Sequence, residues 1–338
     1  ADARRRGLPD PLPNDPNDSY KAAVTVMMRA VFLLFAEERG LLPSGELFEQ
    51  GYGIARELER LTARETEESE EALDATSLTW HRLLATSQAL YHGASFENLR
   101  MPAYGGSLFD PARFPFLTAT NEHGTLAITV SDRVMLHVLR SVQIADIKGE
   151  ARRISFRDID VEQIGYIYEG LLGYTAVIAD QVTVGLKGKS GEEPEVPLTT
   201  LEELAAEHTD PKKLAAAIRS FVKVDQPSAT PQSAAALAKA SSADVEPGVV
   251  SALTQAVGDD LDLRDRVKPW LGLIRLDLRQ RPVVVLDGGL LVKETPSRKN
   301  AGAHYTPKSL AEDVVLHALQ PLCYAPGPHQ TADEGEWK

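Results

Sequence analysis

Apolar side chains recur at helical spacing along most of the chain. Val24, Met27, Met28, Val31, Leu34 and Phe35 cover most sides of one segment, which predicts a core helix over residues 20–39. Ser19 is its expected N-cap, Gly40 its C-cap and Pro43 a stop soon after. Prolines at 9, 11, 13 and 16 predict irregular chain over 1–18. A polar amphipathic helix is expected near 54–71, and another over 77–91 carries Leu78, Leu83, Leu84 and Leu90. Gly105-Gly106, with Pro102, Pro111 and Pro115, marks a long irregular segment. Ser131 or Asp132 caps a helix through Val134, Leu136, Val138 and Leu139, and Asp160 opens one over 161–172 that Gly173 ends.

The period then changes. Residues 176–184 read as a strand, followed by a Gly/Lys/Glu loop and a helix opened by a Thr200/Glu203 capping box. Residues 227–247, rich in Pro, Ser and Ala, read as a linker or loose insertion. Residues 282–286 and 290–294 flank Asp287-Gly288-Gly289, the pattern of a β-hairpin, and a last helix over 308–319 ends at Pro321. The expected fold is mainly α: an irregular lead-in over 1–18, a helical domain over 19–226, the linker over 227–247, and a basic hairpin with the final helix over 248–338.

A chain of 338 residues with 43% hydrophobic and 25% charged residues builds a real core, which excludes a disordered protein. The single cysteine, Cys323, excludes an internal disulfide and a cysteine-based zinc site, and suits a reducing cytoplasm. The first residues lack the apolar stretch of a signal peptide, and the run over 24–36, interrupted by Arg29, reads as too short to span a bilayer. The net charge of −13 argues against a protein that coats nucleic acid, yet it is unevenly spread. Glu65, Glu67, Glu68, Glu70 and Glu71 crowd together, whereas residues 264–308 hold ten Lys/Arg against four Asp/Glu.

Most candidate chemistry dissolves on spacing. Gly188-Lys189-Ser190 lacks the glycine that a phosphate loop needs five residues earlier, where Thr183 stands. Asp132 with Asp146 and Lys148 imitates the carboxylates and lysine of a metal-dependent nuclease, but Asp132 is more simply a helix cap. No histidine spacing or Gly-x-Ser-x-Gly elbow supports a hydrolase, and His81 and His137 read as packing or surface residues on helices; no metal site is expected. One segment stands apart, residues 298–307: Arg298 and Lys299, then Gly302, His304, Tyr305, Thr306 and Pro307 ahead of a helix. Gly302 permits close backbone approach. Thr306-Pro307 places a hydroxyl at the N-cap and proline at the first helical position, and free amides there suit a carboxylate.

The pattern Arg-x-x-x-Gly-x-x-Tyr-Thr-Pro, a helix, then Leu-Gln-Pro-Leu resembles the lead-in segment of large γ-type adenine-specific DNA methyltransferases. These are type IIG restriction–modification enzymes and phage-exclusion methylases of the BREX and DISARM kinds. Three earlier stretches fit the helical region that precedes it: residues 32–42, 104–109 and 164–172, so the resemblance touches residues from about 29 to 322.

The resemblance implies an S-adenosylmethionine-dependent enzyme that methylates the adenine N6 amine. Gly302, His304, Tyr305, Thr306 and Pro307 would line the methionine side of the cofactor, and Arg298 and Lys299 would contact the phosphates of double-stranded DNA. Other defence-system subunits are implied as partners; a membrane is not. The target base must be flipped out of the duplex, because its amine is held in a base pair. The family's Asp-Pro-Ala-x-Gly-Ser-Gly and Asn-Pro-Pro-Tyr motifs do not occur here, so the chain is expected to end ahead of a Rossmann-like core and to be inactive alone, with no catalytic residue of its own. Two other readings are a helical interaction module using the acidic face of residues 57–71, and a nuclease-bearing part of a restriction enzyme.

Overall fold

The computed structural model describes residues 11–147, 150–241, 245–277, 280–294 and 308–338. The chain is mainly helical with small sheets. It divides into a helical unit (Val24–Pro115, Thr129–Gly173 and Ser297–Lys338) and a mixed unit (Ala1–Ala23, Phe116–Ile128 and Tyr174–Pro296). This differs from the division expected at 226 and 247. Strands near 174–185 take their partners near 284–294, and those ladders draw the whole stretch into one body.

Helix α1 (Pro16–Glu38) begins at Pro16, four residues before the expected start. Asp15 Oδ1 accepts from the Asn17 N–H at 2.8 Å, and Pro16 occupies the first turn, where its missing N–H costs nothing. Pro16 therefore opens the helix rather than breaking it, and Ser19 lies inside it. At the far end Gly40 adopts φ 66°; its N–H reaches Glu37 O at 3.0 Å and that of Leu41 reaches Ala36 O at 2.9 Å, a Schellman closure. The 23-residue length and composition of α1 would allow it to cross a bilayer, contrary to the short reading, but most of it is buried within the fold, as in a core helix.

The helical unit continues with α2 (Glu46–Gly51), α3 (Glu57–Glu67), α4 (Leu78–His92), the hairpin of β1 (Ala94–Phe96) and β2 (Leu99–Met101), and α5 (Asp132–Gln143). A second hairpin, β3 (Ile144–Ile147) with β4 (Glu150–Arg153), leads to α6 (Val161–Leu172). Leu58, Leu61, Leu73, Trp80, Leu83, Leu136 and Leu139 are buried, and α3, α4 and α5 pack together. α6 has the expected bounds, with Gln163 Oε1 accepting from the Asp160 N–H at 2.8 Å.

In the mixed unit the expected strand over 176–184 is two: β5 (Tyr174–Ile178) and β6 (Thr183–Gly185). β7 (Glu195–Pro197) precedes α7 (Leu198–Glu207), which starts without a side-chain cap, so Thr200 lies within its first turn and the capping box is not formed. Then come α8 (Pro211–Asp225), α9 (Ala234–Ser241), α10 (Pro247–Val257), α11 (Leu261–Val267), β8 (Val284–Val285) and β9 (Leu290–Glu294).

The expected hairpin does turn at 286–289, where Gly289 N donates to Leu286 O at 2.8 Å and Gly288 has φ 72°. Its arms do not pair with each other, however. β8 joins β6 in a three-stranded sheet ordered β7-β6-β8, while β9 pairs antiparallel with β5, Tyr174 opposite Glu294. The 227–247 stretch is likewise no linker throughout, because α9 buries Leu237 in the same core as Val184, Leu201, Ile218, Val222, Leu253 and Trp270. The final helix, α12 (Lys308–Cys323), carries Pro321 inside its last turn rather than stopping before it.

Candidate functional site

Gly302, His304, Tyr305, Thr306, Pro307, Arg298 and Lys299 lie outside the described residues. Their flanks are described: β9 ends at Glu294 and α12 begins at Lys308. Leu310, Val314, Val315, Leu316, Leu319 and Leu322 on α12 are 49–81% exposed. An apolar groove of about 560 Å³ runs beside Val315, Leu316, Leu319, Cys323 and Tyr324. A helix with apolar residues on so much of its surface is suited to burial. The helix expected directly after Pro307 is present.

Two of the earlier resembling stretches meet. Arg29, buried in α1, donates from Nε to Leu108 O at 2.7 Å, and the Phe32 ring meets Phe109 edge-on at 5.4 Å. Burial pulls the Arg29 guanidinium below its ordinary range, and Arg113 adds repulsion. The polar end of α1 holds two loops, at residues 54–55 and 156–159. Glu37 accepts from the Ile54 and Ala55 amides at 2.7 and 3.1 Å, Glu38 from those of Phe156 and Arg157 at 2.9 and 3.1 Å, and Arg39 donates to Arg157 O and Ile159 O. Burial nevertheless raises the Glu37 pKa, despite those amides. The Ala36-Glu37-Glu38-Arg39-Gly40 run is thus a set of loop anchors. The third stretch is α6, with Tyr166, Ile167 and Leu172 exposed.

A buried polar network joins α3, α4 and α5. The Asp132 carboxylate, fully buried, accepts from the Thr79 N–H at 2.9 Å, the Thr76 hydroxyl at 2.6 Å and Arg64 at 3.3 Å. The Thr79 hydroxyl in turn donates to Glu57 at 2.8 Å, which also pairs with Arg60 and Arg82. Ser131, not Asp132, caps α5 itself, accepting from Val134 N. Asp132 caps the neighbouring helix instead. Its oxygens are spent on these donors, so it is no free ligand for a nuclease metal; Lys148 lies outside the described residues.

The acidic run is also answered from within the unit. Glu59 pairs with Arg153, Glu65 with Arg140, Glu68 with Arg64, and Glu70 and Asp74 with Arg133; His137 Nε2 lies 2.7 Å from Glu70. Part of the basic stretch is spent likewise, with Arg266 on Glu202, Arg275 on Glu195 and Arg281 on Asp277. Lys189 binds Glu192 across its turn, and a side chain at Gly188 would press on Thr230 O, so Gly188-Lys189-Ser190 is a docked loop.

No group of three or more His, Cys, Asp or Glu among the described residues is arranged to hold a metal. In comparisons with protein-family models, curated proteins and solved structures, none matches this chain.

Proposed function

We propose that this chain is the helical part, and one wall of the cofactor site, of an S-adenosylmethionine-dependent adenine-N6 DNA methyltransferase serving restriction–modification or phage defence. The observation that carries the reading is α12: directly after the Tyr-Thr-Pro segment stands a helix with six large apolar side chains exposed. That is the form of a helix belonging against further structure, as the first helix of a Rossmann-like domain does. The packing of Phe32 on Phe109 and of Arg29 on Leu108 supports it, since two resembling stretches then form one scaffold.

In this reading S-adenosylmethionine supplies the methyl group. Tyr305 offers a flat apolar face beside its methionine part, with Gly302, His304, Thr306 and Pro307 shaping the same wall. Amides at the start of α12 suit its carboxylate. Arg298 and Lys299 contact phosphates of double-stranded DNA without reading sequence.

The protein expressed from the whole reading frame carrying this chain tests the proposal by calorimetric titration with S-adenosylmethionine. Binding is expected, weakened about tenfold or more by Tyr305→Ala, the loss of roughly 1.4 kcal/mol of ring contact. Folded protein that binds no S-adenosylmethionine contradicts it.

A further inference from the structure

Helix α8 buries Ala215, Ile218 and Val222 against the mixed unit's core. At 3.6 residues per turn the opposite side carries Lys213, Ala216 and Ser220, and Lys212, Arg219 and Lys223 run along the flank between that side and the buried one. All of these are exposed except Arg219, which is half-buried and whose Nε–H is buried with no acceptor. Lys212, Arg219 and Lys223 align in one stripe about 16 Å long, from the 1.5 Å rise per residue.

In a chain of net charge −13 whose arginines mostly sit on carboxylates, these four cations make no ion pair among the described residues. Asp210, at the helix start, is spent on the Lys212 and Lys213 amides at 3.0 Å. Asp225 falls on another side of the helix, and its Oδ2 accepts from Gln226 at 3.2 Å. The packed neighbour α7 exposes Glu203 and Glu207, which pair with none of the four.

We propose that the exposed face of α8 is a docking surface for the phosphate backbone of double-stranded DNA, separate from Arg298 and Lys299. A straight row of unneutralised cations suits a regular line of phosphates, spaced about 3.4 Å along the axis of each strand. The small Ala216 and Ser220 between them let the backbone come close. Lysine and arginine contacts of this kind position a protein on DNA and carry no base preference. The inference rests on charge geometry and does not need the methyl-transfer reading.

The test is fluorescence anisotropy of the protein with a labelled random-sequence duplex over a range of KCl. Wild-type protein is expected to bind at about 25 mM KCl, and Lys212→Ala/Arg219→Ala/Lys223→Ala to flatten the log–log salt slope by about 2 to 3. Affinity at low salt should fall about tenfold or more, with the circular dichroism spectrum unchanged because the three side chains leave the core intact. Lys212→Arg/Lys223→Arg should keep the wild-type slope. Should the triple variant not fold, Lys212→Glu and Lys223→Glu singly are each expected to weaken binding.

Arg298→Ala/Lys299→Ala should leave the slope contributed by α8 in place, and S-adenosylmethionine titration reports on the enzyme reading separately. An unchanged slope in the α8 variants, no duplex binding by wild-type protein at low salt, or equal binding of poly-glutamate would each overturn the proposal.

Discussion

Asp132, the first residue of α5, caps α4 by accepting from the Thr79 N–H at 2.9 Å, while its own N–H donates to Thr76 O at 2.7 Å. Each of these two helix starts thus satisfies orphan backbone groups of the other. Thr79 then passes the connection to Glu57 through its hydroxyl. The relation ties α3, α4 and α5 together without a covalent link, and it gives the buried Asp132 carboxylate its partners.

Asp132→Ala should therefore destabilise the helical unit by about 2–4 kcal/mol, since it strands an amide, a hydroxyl and the Arg64 charge together. Thr79→Val should cost about 1–3 kcal/mol, because its amide stays capped while Glu57 loses one donor. Urea denaturation of both variants checks the order; a Thr79→Val loss greater than that of Asp132→Ala would contradict the network.

Acid sensitivity has a defined sign at Glu70. Burial alone would raise its pKa, but hydrogen bonds from Arg133 and His137 outweigh burial and lower it. The unfolded chain then binds the proton more readily, so the stability from this pair is present above the ordinary glutamate pKa of about 4.3 and lost as pH falls through the lower folded value. Glu70→Gln should flatten that acid limb in melting curves taken from about pH 6 to 3. A variant whose acid loss equals that of wild type would exclude Glu70 as a source.

The Ala/Ser-rich stretch gives a third check. A Cβ on Gly272 would overlap Ala240 O, so α9 lies hard against the chain there. Gly272→Ala should destabilise the mixed unit by about 1–3 kcal/mol, and Leu237→Ala by about 2–5 kcal/mol. Trypsin should spare Lys239 in folded protein. Rapid cleavage there would mean that α9 is loosely held.

Local signals were readable where they sit beside the element they govern. The cap before α5 and the Asp160–Gln163 pair before α6 lie within four residues of their helices, and both helices fall where the pattern puts them. Pro16 misled because one residue type both breaks helices and opens them, and only the Asp15 cap separates the cases. Partner choice in the sheets was out of reach: 282–294 looks like a hairpin locally, yet β8 and β9 find partners about a hundred residues earlier. In α9 a single large apolar side chain, Leu237, anchors a segment whose composition reads as linker. Beside the candidate site, the helix after Pro307 was legible in the sequence. No motif marks the cations of α8; their signal in the sequence is the absence of any acid on that helix side.

The central claim is best tested in cells. The whole reading frame carrying this chain, expressed in a host lacking adenine methylation, should place N6-methyladenine at one recurrent sequence in the host DNA. Tyr305→Ala should abolish or sharply reduce that mark while the protein stays soluble. Abundant, folded wild-type protein with no methylated adenine anywhere in the genome would contradict the account.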